Sequence, residues 1–286
     1  MTKEYNTKQR STFKIVNTII VKVWYLLLSI IMLFPIYYLV VTTFKTPKEA
    51  SQRPLGLPLH FTLDNYKKAL DAMEYGRALK NNLIITGISV LLLILIASMA
   101  AYAVSRGKNK IFQIIFSIFM VGLIVPFQIE VIPLYKIITK LHLMNTLAGV
   151  ILIDVFCINL PLSIFLFKGF IHTVPIELEE AAYMDGCGTF KTFLRIVFPL
   201  LKPIIATVAI LNALAVWNDF MTPLLFLQNP KKGVLLQEVY KNIGPFSTNW
   251  TSFFPMLVLA VLPLVIFYLI MQKNIVEGVV AGSVKG

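Results

Sequence analysis

Apolar runs long enough to cross a membrane alternate with shorter polar stretches along the chain. A helix needs about 20 mostly apolar residues to span about 30 Å of hydrocarbon, because each residue adds about 1.5 Å of rise. We predict six transmembrane helices, over residues 23–43, 83–104, 111–129, 147–167, 204–227 and 253–271. The fifth run is the least regular, since it contains the polar residues Asn212, Asn218 and Asp219.

The composition agrees with a helical membrane protein. Hydrophobic residues make up 57% of the 286 residues and charged residues 14%, whereas about a quarter of the residues in a soluble domain are charged. These values exclude a disordered chain, a disulfide scaffold and a collagenous chain. Several spans contain prolines, which are tolerated where neighbouring helices satisfy the freed backbone groups. The predicted fold class is an all-α integral membrane protein whose helices pack as a bundle.

The basic stretch before the first span raises the alternative of a cleaved signal peptide. However, the apolar run is longer than a typical signal core. The residues that follow it, Phe44, Lys45 and Thr46, offer no small-residue cleavage site. We therefore expect an uncleaved first transmembrane helix.

The formal net charge of +12 fits either nucleic-acid binding or loops near lipid headgroups, and we favour the second in a membrane chain. With six spans, the loops on the side of both termini hold 14 of the 26 lysines and arginines, and the opposite loops hold 12. The dense cluster Arg106, Lys108 and Lys110 lies in a very short loop on the first side. By the positive-inside rule, this cluster indicates cytoplasmic N- and C-termini in the cell membrane.

The sequence contains no recognisable catalytic motif. It has no phosphate-binding G-x-x-x-x-G-K-[ST] run, no H-E-x-x-H and no G-x-S-x-G. His60, His142 and His172 lie far apart, and the cysteines Cys157 and Cys187 indicate neither a disulfide framework nor a zinc site. We expect no catalytic residue, metal or cofactor in this chain.

Asp154 and Asp219 are the clearly acidic residues inside the predicted spans. A carboxylate in lipid costs at least about 2.5–3.5 kcal/mol, so it faces protein or a wet cavity. Asp219 belongs to the segment Trp217-Asn218-Asp219-Phe220, which fits either a polar patch on a solute path or a helix break capped before Pro223. Asp154 fits either a hydrogen bond between helices or a role in the path. Asp154, Trp217, Asn218 and Asp219 are our candidate path residues.

The segment 168–203 has its own helical pattern. After Pro175, three glutamates, Glu177, Glu179 and Glu180, fall in the first turns of a predicted helix, where the helix dipole favours negative charge. Two glycines then predict a turn, and an amphipathic second helix follows. Such a short acidic helix with small alanines suits docking into a groove of a partner protein. A helix resting on lipid is the alternative, but anionic headgroups would repel the acids.

The same segment resembles the EAA motif of ABC-importer permeases, E-A-A-x3-G-x9-I-x-L-P. Six residues match the motif in this spacing: Glu180, Ala181, Ala182, Gly186, Ile196 and Pro199. Phe198 replaces the usual leucine. The run 179–186 is similar to the carbohydrate-uptake branch, and the wider resemblance extends from about Tyr66 to Gly286. The glycine-containing tail 276–286 resembles that of the smaller of the two maltose-type permeases.

The resemblance implies six helices of the type I ABC importer permease fold. It implies a second permease subunit, two cytoplasmic ATP-binding-cassette ATPases that hydrolyse ATP, and an extracellular sugar-binding protein. An oligosaccharide is the favoured substrate, with glycerol phosphate or another polyol derivative as the alternative. In this family the EAA glutamate pairs with a basic residue of the ATPase, which assigns that ion pair to Glu180. Ala181 and Ala182 would permit close packing, Gly186 would make the turn, and the C-terminal tail would reach between the ATPases.

We accordingly divide the chain into a cytoplasmic tail (1–22), a first transmembrane helix (23–43), a permease core (77–272) containing the EAA loop (168–203), and a cytoplasmic C-terminal tail (273–286). An ion-coupled secondary transporter of a small polar solute is the rival interpretation. It predicts buried ionisable residues and inverted repeats. The sequence shows no clear repeat, and this rival leaves the EAA loop unexplained.

Overall fold

The computed structural model describes residues 2–243 and 249–283, with side chains over 17–243 and 249–272. All the regular elements in these ranges are helices. We number the thirteen longer helices α1 to α13 in chain order: Thr2–Thr43, Pro47–Gln52, Asp64–Ala72, Tyr75–Arg106, Lys110–Gly122, Phe127–Lys140, Leu147–Ile171, Glu177–Met184, Thr189–Leu200, Lys202–Trp217, Met221–Phe226, Leu235–Lys241 and Trp250–Ser283. A short 3₁₀ turn lies at Pro230–Lys232.

Among the residues that the structure describes, four uninterrupted helices are long and apolar enough to cross a membrane. They cover Asn17–Thr43, Tyr75–Arg106, Leu147–Ile171 and Trp250–Gln272. Two bent helix pairs, α5 with α6 and α9 with α10, bring the number to six if each pair forms one span. The first, second, fourth and sixth predicted spans each lie within one of the four helices.

The third predicted span is not continuous, and the prediction of one helix over 111–129 is wrong. Helix α5 ends at Gly122, α6 begins at Phe127, and their axes differ by 107°. Pro126 lies at the break in an extended conformation. Proline lacks the N–H that would continue the helix and disfavours helical geometry in the residue before it. The break therefore follows from Pro126, although the run stays apolar through it.

The fifth predicted span, over 204–227, is also interrupted. Helix α10 ends at Trp217, and α11 begins only at Met221. Before the predicted span begins, a separate bend of 78° lies between α9 and α10. Asp219 Oδ1 accepts a hydrogen bond of 3.1 Å from the backbone N–H of Thr222. Short polar side chains compete in this way with the backbone bonds of a helix. The structure therefore contains a helix break capped by Asp219 before Pro223, which is one of the two roles that the sequence predicts for this residue.

The chain divides into two compact units, residues 1–69 with 244–258 and residues 70–243 with 259–286. In the first unit, the segment after α1 folds around the fully buried Lys45. Its Nζ donates hydrogen bonds to the carbonyls of Arg53 and Pro54 at 2.8 and 3.0 Å. Asn65 donates to the carbonyls of Thr43 and Lys45, both at 2.8 Å. These bonds satisfy buried polar groups and hold the segment against the end of α1.

The second unit is built on α4, α7 and α10, which pack against one another. The small residues Ala97 and Ala101 are fully buried in α4, and small side chains let membrane helices approach closely. Asn212 of α10 donates a 2.9 Å hydrogen bond to Ser163 Oγ of α7. These contacts form the frame that carries both candidate sites.

Candidate functional site

The segment 168–203 folds as a helix, a glycine turn and a second helix, as predicted. Helix α8 ends in a Schellman motif, in which Cys187 N–H donates to the Ala182 carbonyl at 2.9 Å and Gly186 N–H donates to the Tyr183 carbonyl at 3.0 Å. Gly186 has φ +82°, in the left-handed region that side chains rarely adopt. The turn therefore requires glycine at this position.

Replacing Gly186 by alanine should cost about 1–2 kcal/mol, because a left-handed backbone brings Cβ too close to the following carbonyl. Open space surrounds a Cβ built at Gly186, so the cost comes from the backbone alone. Gly188 provides the control, since it has φ −75° and equally open space. We expect Gly186→Ala to lower the melting temperature of the purified protein and Gly188→Ala to leave it nearly unchanged. Equal melting temperatures would contradict the assigned turn.

Glu179 anchors the loop to the bundle. Its side chain is 2% exposed. One carboxylate oxygen accepts from the Arg106 guanidinium at 2.8 Å, and the other accepts from Tyr102 Oη at 2.8 Å. Arg106 also donates to the carbonyls of Ile171 and Val174 near the end of α7. A buried ion pair with these additional hydrogen bonds fixes α8 against the end of α4.

The sequence predicts only an orienting role for Arg106, and its partnership with Glu179 is a finding of the structure. The sequence does contain one indication of this partnership. Tyr102 and Arg106 are four residues apart, which places them on one face of a helix. Both side chains then point toward the same acidic partner.

Glu180 has the opposite environment from Glu179. Successive helical residues point about 100° apart, and Glu180 and Ala181 are exposed whereas Ala182 is buried inside the chain. Glu180 forms no ion pair within the part of the chain whose side chains are described. Several exposed apolar side chains lie in the same loop: Ile176, Leu178, Met184, Phe190 and Leu194. We call these five residues, together with Glu180 and Ala181, the loop surface.

The remaining motif residues lie in the same segment, at the glycine turn and in α9. Gly186 is exposed at the turn, Ile196 is half-buried in a π-helical stretch of α9, and Pro199 is exposed in the last turn of that helix. The structure thus leaves Glu180, Ala181, Gly186 and Pro199 accessible and turns Ala182 toward the bundle.

The four candidate path residues fall into two pairs in the structure. Asp154 and Asp219 line one cavity of about 240 Å³, together with Asn159 and the apolar residues Phe127, Ile158, Ala215 and Met221. Trp217 is buried elsewhere, and its indole N–H donates to the Ala260 carbonyl at 3.1 Å. Asn218 donates to the Leu214 carbonyl of its own helix at 2.9 Å. The structure brings the two aspartates together but does not place Trp217 or Asn218 in their cavity.

Comparison with known proteins gives a consistent result. The model of the family described as "Binding-protein-dependent transport system inner membrane component" matches residues 81–280. A probable starch degradation products transport system permease of Thermoanaerobacterium thermosulfurigenes is 35% identical, covering 91% of this chain and 94% of the relative. A melibiose/raffinose/stachyose import permease of Bacillus subtilis is 36% identical, covering 88% and 91%.

Another relative and one solved structure extend this result. A multiple sugar-binding transport system permease of Streptococcus mutans is 37% identical, covering 90% of this chain and 93% of the relative. The solved structure is a bacterial ABC transporter involved in the import of the acidic polysaccharide alginate. It aligns with a TM-score of 0.79 at 23% identity, covering 91% of this chain and 95% of that one. At this identity, the structural likeness supports the fold.

Proposed function

We propose a function from the premise that this chain belongs to the family of binding-protein-dependent transport system inner membrane components. The chain is a multi-pass membrane permease with the type I ABC importer fold. Members of this family work with a second permease, ATPases and a substrate-binding protein. We propose that this chain and a second permease subunit form the translocation path for a sugar, and that ATP hydrolysis in the partner subunits drives the transport.

An oligosaccharide is the proposed substrate class. Support comes from relatives that cover most of both chains and whose names specify starch degradation products, melibiose, raffinose, stachyose and arabino-oligosaccharides. In the proposed mechanism, an extracellular binding protein delivers the sugar, with the loops 44–82 and 228–252 as its docking surfaces. Closure of two ATPases on ATP then moves the helices as rigid bodies and opens the path to the other side.

The carboxylate of Glu180 is exposed and has no ion-pair partner among the described side chains, and this observation carries the coupling proposal. Glu179 holds α8 in place, so Glu180 can pair with a basic residue of an ATPase without loss of the internal anchor. The apolar side chains of the loop surface can fill the rest of a groove, as in other helix-in-groove contacts. We propose that this surface is the ATPase docking site.

This docking site requires the 168–203 loop to be cytoplasmic, because the ATPases and ATP are there. With each bent helix pair counted as one span, both termini are then cytoplasmic in the cell membrane. We retain 1–22 and 273–286 as tails and 77–272 as the permease core. The helix α13 continues to Ser283, but the side chains beyond residue 272 lie outside the described residues, and so does the predicted contact of the tail with the ATPases.

Co-purification followed by an activity assay tests this function. We expect the affinity-tagged chain to bring down an ATP-binding-cassette ATPase and a second permease from its native membrane. In vesicles containing the binding protein, ATP hydrolysis should rise with one sugar of a panel of melibiose, raffinose, stachyose, arabino-oligosaccharides and starch degradation products. Purification without an ATPase, or hydrolysis unaffected by every sugar, would contradict the proposal.

A further inference from the structure

We infer that the cavity between Asp154 and Asp219 is a subsite for sugar hydroxyl groups within this chain's part of the translocation path. This inference rests on the proposed function, and it assigns the substrate contact to two side chains that are 65 positions apart in the sequence. It separates Asp154 and Asp219 from Trp217 and Asn218, whose side-chain nitrogens donate to other carbonyls.

The cavity brings two carboxyl groups together. Asp154 is 1% exposed, and its carboxyl lies within hydrogen-bonding reach of the carboxyl of Asp219. No N–H or hydroxyl group of another described residue donates to either carboxyl oxygen of Asp154 or to Oδ2 of Asp219. Buried polar atoms in native proteins nearly always have a partner, from protein or solvent, and an unpaired buried carboxylate is costly. Two facing carboxyls that receive no other donor from the described residues therefore offer acceptors to the hydroxyl groups of a solute.

The backbone is irregular on both sides of the cavity. Asp154 and Asn159 lie at the two ends of a π-helical stretch, Ile153–Asn159, in α7. Asn159 donates to the Asp154 backbone carbonyl at 2.9 Å, and Pro161 follows without an N–H to continue the regular pattern. Asp219 lies in the break between α10 and α11. Irregular backbone at membrane depth is tolerated where it lines a cavity, and π-bulges occur frequently at functional sites.

The chemistry of the walls favours a polyol over a cation. Calcium takes six to eight oxygen ligands and magnesium six, whereas the described residues contain no group of three or more acidic, histidine or cysteine side chains suited to a metal. Apolar walls beside a few acceptors match the two kinds of surface on a sugar ring, its C–H faces and its hydroxyl groups. The cavity has a volume of about 240 Å³.

Conservative substitutions test the subsite. Asparagine keeps the shape of aspartate and replaces one acceptor oxygen by an amide donor. In reconstituted complexes assayed with the panel sugar that gives the largest response, Asp154→Asn and Asp219→Asn should each raise the KM for sugar uptake by about tenfold, since a hydrogen bond from a sugar hydroxyl is lost and the new amide donor has no partner. Asp154→Leu should raise the KM further. Asp185→Asn, at an exposed position outside the cavity, is the control with the same chemical change.

The outcomes separate this inference from the proposed function. A wild-type complex that responds to no sugar contradicts the function itself. A responsive wild type with an unchanged KM in both asparagine variants overturns the subsite alone. An altered dependence on sodium or potassium concentration, at an unchanged KM for sugar, also overturns it in favour of a cation site. A raised KM together with a matching loss of melting temperature in Asp154→Asn and Asp154→Leu shows a structural role and overturns it as well.

Discussion

Replacing Glu180 by lysine is expected to lower sugar uptake by at least about tenfold while the chain still inserts into the membrane. The side chain is exposed and has no ion-pair partner in the described part of its own chain, so its reversal removes no internal contact. Truncating one member of a buried, hydrogen-bonded charge pair at an interface costs about 2–5 kcal/mol, and reversal adds repulsion. Uptake and ATP hydrolysis, measured in the same vesicles, should become uncoupled.

The control for this variant is Asp185→Lys, which makes the same charge change at an exposed position five residues later, where the EAA motif specifies no residue. We expect it to keep most of the uptake. The amount of membrane-inserted protein should be equal in wild type and in both variants. Wild-type uptake by Glu180→Lys would refute the assignment of this residue to ATPase docking.

Replacing Arg106 by methionine is expected to destabilise the protein itself. The substitution leaves Glu179, 2% exposed, with the hydroxyl of Tyr102 as its remaining donor among the described side chains, and it removes the donors to the carbonyls of Ile171 and Val174. Breaking a buried ion pair from one side costs about 3–5 kcal/mol because a charge is left buried and uncompensated. The apparent melting temperature of the purified protein in detergent measures the effect.

Two further variants identify the source of this loss. The double substitution Arg106→Met with Glu179→Met should recover much of the stability, since two apolar side chains can replace a buried pair with little net cost. Lys108→Met, two residues later at an exposed position, removes the same charge and should have little effect. If Arg106→Met and Lys108→Met unfolded at the same temperature, Arg106 would not be the anchor that we describe.

Hydrophobic patterning predicted where helices lie better than where they break. Runs such as 83–104 and 147–167 each fall within one helix because their apolar residues need a bilayer or a core. The apolar run through Pro126 has the hydropathy of a span, but proline ends the helix there for a local steric reason that hydropathy does not measure. In the fifth run, by contrast, the adjacent polar residues Asn218 and Asp219 indicate in the sequence where the helix breaks.

The candidate sites were also predictable only in part, because some of their features depend on local sequence and others on contacts between distant helices. The glycine turn at Gly186 follows from local chemistry, and the structure places it as predicted. Which of the adjacent residues Glu179 and Glu180 faces inward depends on where α4 lies, and a single sequence does not specify that contact. The meeting of Asp154 with Asp219 likewise depends on the packing of α7 near the end of α10, and each residue on its own fitted more than one role.

Site-specific cross-linking at the loop surface tests the central claim most directly. Ala181 is exposed beside Glu180, so a photoreactive thiol reagent attached to Ala181→Cys, with Cys157 replaced by alanine and Cys187 by serine, would lie at the proposed contact. The control position is Lys231→Cys, exposed in a loop that we place on the opposite side of the membrane. We expect a covalent product with the ATPase from position 181, absent from position 231 and reduced by Glu180→Lys. No ATPase product from position 181 in an intact, active complex would contradict the account.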